Sequence, residues 1–283
     1  MERLIRGDGL SDKKQEDSFS SKTELSKFSL SVCKGHEECG DSAFVFEADG
    51  RLIAGVFDGV SGEAGAAEAS SVAAESVLAF FKRDISKGKN PKGKKRIDEE
   101  EMKKALLSAN EKIKHGMTTA ALVCIEKNGA FIAACVGDSL VYSIDSKARV
   151  SAEIQQGRPV GDDHSILKYL YYRNFVMSVL GPSGKDIDMH VRKGKLKEGE
   201  VLLLATDGLT DNLYFKVKEG YVSDTAGTED LRSIINDIRE PEALVRLLIE
   251  EAVKRMAGEK IELPDRMLVP KKDDIALIAV RWL

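Results

Sequence analysis

Five times in this sequence an acidic side chain stands where an apolar run begins or ends. Asp58 closes the run LIAGVF, Asp138 follows Val136-Gly137, Asp207 follows VLLLAT, Asp273 comes shortly before IALIAV, and Asp41 precedes AFVF. Turn chemistry explains each one separately, since Asp and Gly both suit tight turns. Asp49-Gly50, between two short runs, is read as a hairpin turn and nothing more. Turn chemistry explains less well why so few Lys or Arg accompany these aspartates on the same runs. A carboxylate desolvated without a partner costs several kcal/mol. If the strand ends converge, their oxygens repel one another unless a cation neutralises them. Oxygen-only ligands select hard divalent ions such as Mg²⁺ or Mn²⁺. The four histidines, His36, His115, His164 and His190, show no ligand-pair spacing, which disfavours zinc.

The elements that must carry these residues are legible as changes of period. Short β-type runs occupy 28–32, 43–48 and 51–58, then 119–126, 130–138 and 140–144, with Asn128-Gly129 as the turn between two of them. Further strands are expected at MHVRK, EVLLLATD and the closing DIALIAVRWL. Between the strand groups, Ala66, Ala69, Ala73, Val77, Phe80 and Phe81 fall at spacings of three and four, predicting a helix over 63–82. A second helix is expected from Asp98 to about Lys114. A third, over 241–256, starts on a proline where a helix tolerates it best. Residues 1–25 lack periodicity and are expected to form a loose arm. The stretch 150–187 has no clear assignment. Antiparallel strands in two groups with long helices between them predict an α+β sandwich of two sheets covered by helices, in one domain spanning 1–283.

Bulk composition narrows the function classes. The chain has 283 residues, and its 43 basic and 47 acidic side chains leave a net charge of −4. That balance gives no general reason to expect nucleic acid or an anionic membrane as partner. No apolar run is long enough to span a bilayer, and the first residues are too polar for a signal peptide. Four cysteines without a C-x-x-C pair fit a reducing compartment, so a cytoplasmic protein is expected. The basic segment 86–96, SKGKNPKGKKR, reads as a solvated loop, with docking of an acidic partner as the alternative.

Four blocks, in order, resemble the metal-dependent Ser/Thr protein phosphatases of type 2C: GVFDGVSG (55–62), TTAALVCIEKNGAFIAACVGDSLVYSI (118–144), GEVLLLATDGLTDN (199–212) and KDDIALIAVRW (272–282). GDSAFVF (40–46) is a weaker fifth. The resemblance implies a four-layer αββα sandwich with two antiparallel sheets between helices and two divalent metals, Mg²⁺ or Mn²⁺, in the cleft. Carried over by position, it makes Asp58 a bridge between the metals and gives the Gly59 carbonyl to one of them. Asp207 and Asp273 would hold the first metal, Asp138 with Asp207 a looser third, and Asp41 would hold metal-bound waters. The implied reaction is hydrolysis of phosphoserine or phosphothreonine on a protein by a hydroxide bridging two ions. Asp58, Asp207 and Asp273 are the catalytic set.

Three departures accompany the likeness. The family commonly reads Asp-Gly-His-Gly in the first block, whereas this chain reads Asp58-Gly59-Val60-Ser61, so the histidine proposed as general acid is missing. His36 or His164 approaching from elsewhere, or a metal-bound water, are the candidate replacements. The early Glu-Asp pair becomes Gly40-Asp41. The arginine that often grips phosphate has no clear counterpart, with only Lys34 and His36 near its place. At the last block Asp273-Asp274 stands where Asp-Asn is frequent, and the ligand role is assigned to Asp273, with Asp274 as the alternative register. Two other readings stay open: a non-catalytic regulatory or binding module that keeps the fold, and a phosphatase of a small metabolite.

Overall fold

Strand-period runs of Val, Leu, Ile, Phe and Ala build two six-stranded sheets in the computed structural model. It describes residues 1–10, 15–62, 64–87, 97–154, 165–173, 175–176, 178–182 and 187–283. The first sheet runs β1 (Glu2–Arg6), β4 (Asp41–Ala48), β5 (Arg51–Asp58), β6 (Ala120–Glu126), β7 (Ala130–Val136), β10 (His190–Lys195). The second runs β2 (Glu16–Lys22), β3 (Ser26–Cys33), β16 (Ile275–Trp282), β11 (Val201–Ala205), β8 (Leu140–Ile144), β9 (Val150–Ile154). Neighbouring strands pair antiparallel in both.

Side-chain alternation within each strand sorts residues into layers. On β5, Leu52, Ala54 and Val56 face the second sheet and pack with Leu30, Leu204 and Ile278. Ile53 and Phe57 point the other way, into a cluster with Ala73, Val77 and Phe81 of α1 (Ala66–Lys87) and Met102 and Leu106 of α2 (Glu99–Asn110). On β11, Leu202 and Leu204 face the first sheet. Leu203 and Ala205 face Leu231 of α5 (Thr228–Ile235) and Leu244 and Leu248 of α6 (Pro241–Met256). The result is a four-layer αββα sandwich, as expected from the sequence.

Several expectations need correction. Residues 2–6 and 16–22 are not a loose arm, because each adds an edge strand to one sheet. The exposed and half-buried residues of β2 alternate, EDSFSSK, so ladder hydrogen bonds rather than an apolar run hold it, and composition does not reveal it. The first helix extends to Lys87 and the second stops at Asn110. The basic segment lies outside the described residues from 88 to 96. A third, small sheet joins β13 (Tyr221–Asp224), β12 (Phe215–Lys218), β15 (Arg266–Leu268) and β14 (Ile261–Glu262). The helix α3 (Ile166–Tyr172), from the unassigned stretch, packs on it through Tyr169 against Phe215, Val222 and Met267. No described helix is long and apolar enough to cross a membrane.

Candidate metal centre

The strand ends do meet. Asp58 at the end of β5, Asp138 after β7, Asp207 after β11 and Asp273 before β16 line one cavity of about 160 Å³. Val60, Ser61, Thr119, Arg173, Val176 and Lys271 complete its wall. Asp207 opens the one-turn helix α4 (Asp207–Thr210), and its neighbour Gly208 is required by close approach. A Cβ there would sit 1.8 Å from the carbonyl oxygen of Asp274. Asp58 is fixed through its own carbonyl, which accepts from the Thr119 N–H at 2.8 Å and from the Thr118 hydroxyl at 2.8 Å.

Asp41 is the cross-strand partner of Asp58 and stands behind it, buried, rather than on the cavity wall. One of its oxygens accepts a hydrogen bond from Thr206 Oγ1 at 2.7 Å. Gly59 lines a neighbouring cavity of about 940 Å³ together with His36, Gly40 and Asp274, and Ser61 lines both cavities. The reason for glycine at 59 is tight backbone packing, since a Cβ would lie 2.4 Å from the Ala66 carbonyl oxygen and 2.8 Å from that of Gly40.

Electrostatics in the acid cavity follow from burial and like charge. Burial first, and then Asp207, Asp41 and Asp273, push the Asp58 carboxyl well above the usual carboxylate range. Burial and Asp207 raise Asp273 from 3.8 to about 6, against an opposing pull from Lys271. Asp41 is raised by burial and by Asp274. Burial alone would favour neutral Lys271, but Asp207, Asp211 and Asp273 outweigh it and hold the ammonium charged.

Asp274 is a different kind of carboxylate. Its Oδ1 accepts from the Gly35 N–H at 2.6 Å and the His36 N–H at 3.0 Å, and its Oδ2 from the Gly40 N–H at 2.7 Å. His36, Asp273 and Asp274 do bring ligand atoms within 4.8 Å of one another. Because backbone donors already occupy both oxygens of Asp274, we read that trio as an anchor for the 35–40 loop, which leaves the acid cavity as the candidate metal centre.

Three residues at the centre have no role in the sequence reading. Asp211 follows Asp207 at the i, i+4 spacing that puts two side chains on one helix face, a signal present in DGLTD. Lys271 reaches Asp207 at 2.6 Å, Asp273 at 2.8 Å and Asp211 at 3.3 Å. Arg173 comes from the unassigned stretch after α3. It donates from Nη1 to the Val269 carbonyl at 2.8 Å, and its Nε lies 3.8 Å from Asp211. No local pattern marks either cation. His36 stands 3.7 Å from both Asp273 and Asp274, while His164 lies outside the described residues.

The protein phosphatase 2C family model matches residues 31–248. The chain belongs to that family. The match ends before Asp273, so the place of that residue rests on geometry. Among solved structures the chain is similar to RsbX, solved in complex with magnesium, at 17% identity and a TM-score of 0.61, covering 94% of this chain and 100% of that one. It is similar to the PPM Ser-Thr phosphatase MsPP from Mycobacterium smegmatis, solved with cacodylate, at 18% identity and a TM-score of 0.57, covering 94% and 97%. It also resembles the photosystem II phosphatase PBCP at 17% identity and a TM-score of 0.58, covering 99% and 96%. At such identities the likeness speaks for the fold. No curated protein matches the sequence.

Divalent ions fit what lines the cavity. Its four carboxylates, Asp58, Asp138, Asp207 and Asp273, face two cations, Lys271 and Arg173, and every ionisable donor among the four is a hard oxygen. The thiols stay out of the chemistry, since burial pushes Cys33 up to about 11 and Cys124 up to about 12, and raises Cys39 and Cys135 as well.

Proposed function

We propose that this chain is a Mg²⁺- or Mn²⁺-dependent phosphatase of phosphoserine and phosphothreonine on proteins, working in the cytoplasm as one domain. The observation that carries the reading is the convergence of four strand-end aspartates on one cavity, with more negative charge than its two cations balance. Asp58, the Gly59 carbonyl, Asp207 and Asp273 would hold two ions, and Asp138 with Asp207 a looser third, with Asp41 supporting Asp58 from behind. Bound there, such ions lower the pKa of water toward neutrality and neutralise phosphoryl charge.

The protein's own residues must do the rest. Hydrolysis forms one P–O bond from water, breaks the ester P–O bond and returns a proton to the leaving alkoxide. Val60, where the family commonly carries histidine, is hydrocarbon and cannot donate that proton. His36 is the imidazole nearest to Asp273 among the described residues, and it lines the adjoining cavity. Arg173, 5% exposed on the cavity wall, has the planar fork that suits phosphoryl oxygens.

The deciding experiment is manganese-dependent hydrolysis of an aryl phosphate by wild type and Asp207→Asn. Metal-dependent turnover by wild type that falls at least ~100-fold in the variant is expected, as for loss of a group that holds catalytic metal. Aryl esters, whose leaving groups need little protonation, should turn over faster than phosphoserine peptides. General-acid help is worth ~10²–10⁴-fold, so a peptide rate equal to the aryl rate would contradict the loss of the acid. A second reading, a non-catalytic module of the same fold, is favoured by one observation: an ammonium group already sits among the acids. Absence of metal-dependent turnover by wild type would leave that reading standing.

A further inference from the structure

Lys271 is held as part of a device rather than as a loose surface side chain. Its backbone is clamped by the Asn212 amide, which accepts from the Lys271 N–H at 3.1 Å and donates to the Lys271 carbonyl at 2.8 Å. The same amide nitrogen also donates to the Gly208 carbonyl at 2.9 Å, tying the clamp to the turn that carries Asp207. From that fixed base the ammonium reaches three carboxylates, which matches the three donors it has. The side chain still keeps 25% of its surface open to solvent.

An ammonium and a divalent ion compete for these oxygens. Asp207 Oδ2 and Asp273 Oδ2 are 2.6 and 2.8 Å from Nζ. A divalent ion held by the same oxygens would stand close to the ammonium, and the two cations would repel. The second oxygen of Asp273 already accepts from the Asp274 N–H at 3.0 Å, which holds the carboxylate in its present orientation.

We propose that Lys271 is a built-in counter-ion that assembles Asp207, Asp211 and Asp273 without metal, and that a divalent ion entering this half of the cavity must displace it. This rests on the reading of the cavity as a divalent-metal centre. Lys271 is then a positioning residue that sets the metal concentration at which the site loads. It keeps the acids gathered when metal is scarce, and its ammonium swings toward solvent when metal is bound.

The test is calorimetric titration of Mn²⁺ into wild type, Lys271→Met and Lys271→Gln, with melting temperatures recorded in EDTA and in Mn²⁺. The expected result is Mn²⁺ binding by wild type, with both variants binding one ion at least tenfold tighter or binding one ion more. In EDTA the variants should melt below wild type, and Mn²⁺ should raise their melting temperature more. Wild type that binds Mn²⁺ alongside folded variants of equal or weaker affinity would overturn the counter-ion role and leave the metal centre intact. No Mn²⁺ binding by any of the three, all folded, would overturn both. If one variant fails to fold, the other decides, since Gln retains a polar tip where Met does not.

Discussion

Asp273 and Asp274 are consecutive, and both are almost closed to solvent, at 5% and 4% exposure. What meets their oxygens is opposite in kind. Asp274 is ringed by the N–H groups of Gly35, His36 and Gly40, so its charge is already met by backbone dipoles from a loop more than 230 residues away in sequence. Asp273 faces Asp207 and the Lys271 ammonium, and burial with its acidic neighbour pushes its carboxyl upward. Burial alone therefore does not mark a functional acid. A carboxylate saturated by N–H donors is structural, whereas one opposed by other carboxylates holds a charge that the fold leaves to a cation.

Removing each kind of charge breaks the comparison most directly. In metal-free protein, Asp274→Ala is expected to lower the unfolding free energy by about 3 kcal/mol, because three backbone N–H groups lose a charged acceptor. Asp58→Asn should act with the opposite sign and raise the melting temperature, since it removes a carboxyl that burial first, and then its acidic neighbours, make costly to ionise. Urea titration in EDTA reads both. Changes of the same sign in the two variants would mean that the acids do not divide in this way.

Arg173 offers a smaller and sharper probe, since it joins the small sheet's side of the molecule to the acid cavity. If its fork takes phosphoryl oxygens, Arg173→Lys should raise KM for an aryl phosphate roughly tenfold while kcat changes little, because a point charge does not reproduce a bidentate grip. Its bond to the Val269 carbonyl would be lost as well. A purely anchoring role would appear as a lowered melting temperature with KM unchanged.

These contrasts mark how far sequence reading carries. The sandwich was legible because alternation on β5 and β11 faces two apolar layers and leaves an unmistakable period. Asp58, Asp138, Asp207 and Asp273 were legible because each interrupts such a run at its end. Strands β1 and β2 were not, because they are edge strands with few apolar residues, Leu4 and Ile5 on one and Phe19 on the other, and too little apolar alternation to show a period. Lys271 and Arg173 were missed for a related reason. A cation among KK or YYR reads as a solvated residue until tertiary contacts bring it to carboxylates distant in the chain. Asp211 was available at helical spacing from Asp207, but only once α4 was known to be a helix.

The smallest expected effect is the dependence of stability on pH, and its sign separates the metal-free from the loaded state. The Asp273 carboxyl rises from 3.8 to about 6 in the fold, and Asp58 and Asp41 move in the same direction. Below 3.8 the folded and unfolded chains both keep the proton, so there is no penalty. Between 3.8 and about 6 the unfolded chain has lost a proton that the folded chain retains, so stability in EDTA falls as pH rises through that window, and Asp58 and Asp41, raised well above the same starting value, extend the fall beyond it. With Mn²⁺ the slope should reverse, because the ion binds the ionised carboxylates and competes with protons for them. Melting temperatures from pH 4 to 7, in EDTA and in Mn²⁺, measure both slopes. His36 stands 3.7 Å from Asp273, so the same series on His36→Gln isolates the carboxylates. A melting temperature in EDTA that climbs across the window in both backgrounds would mean that Asp273 is stabilised as the anion.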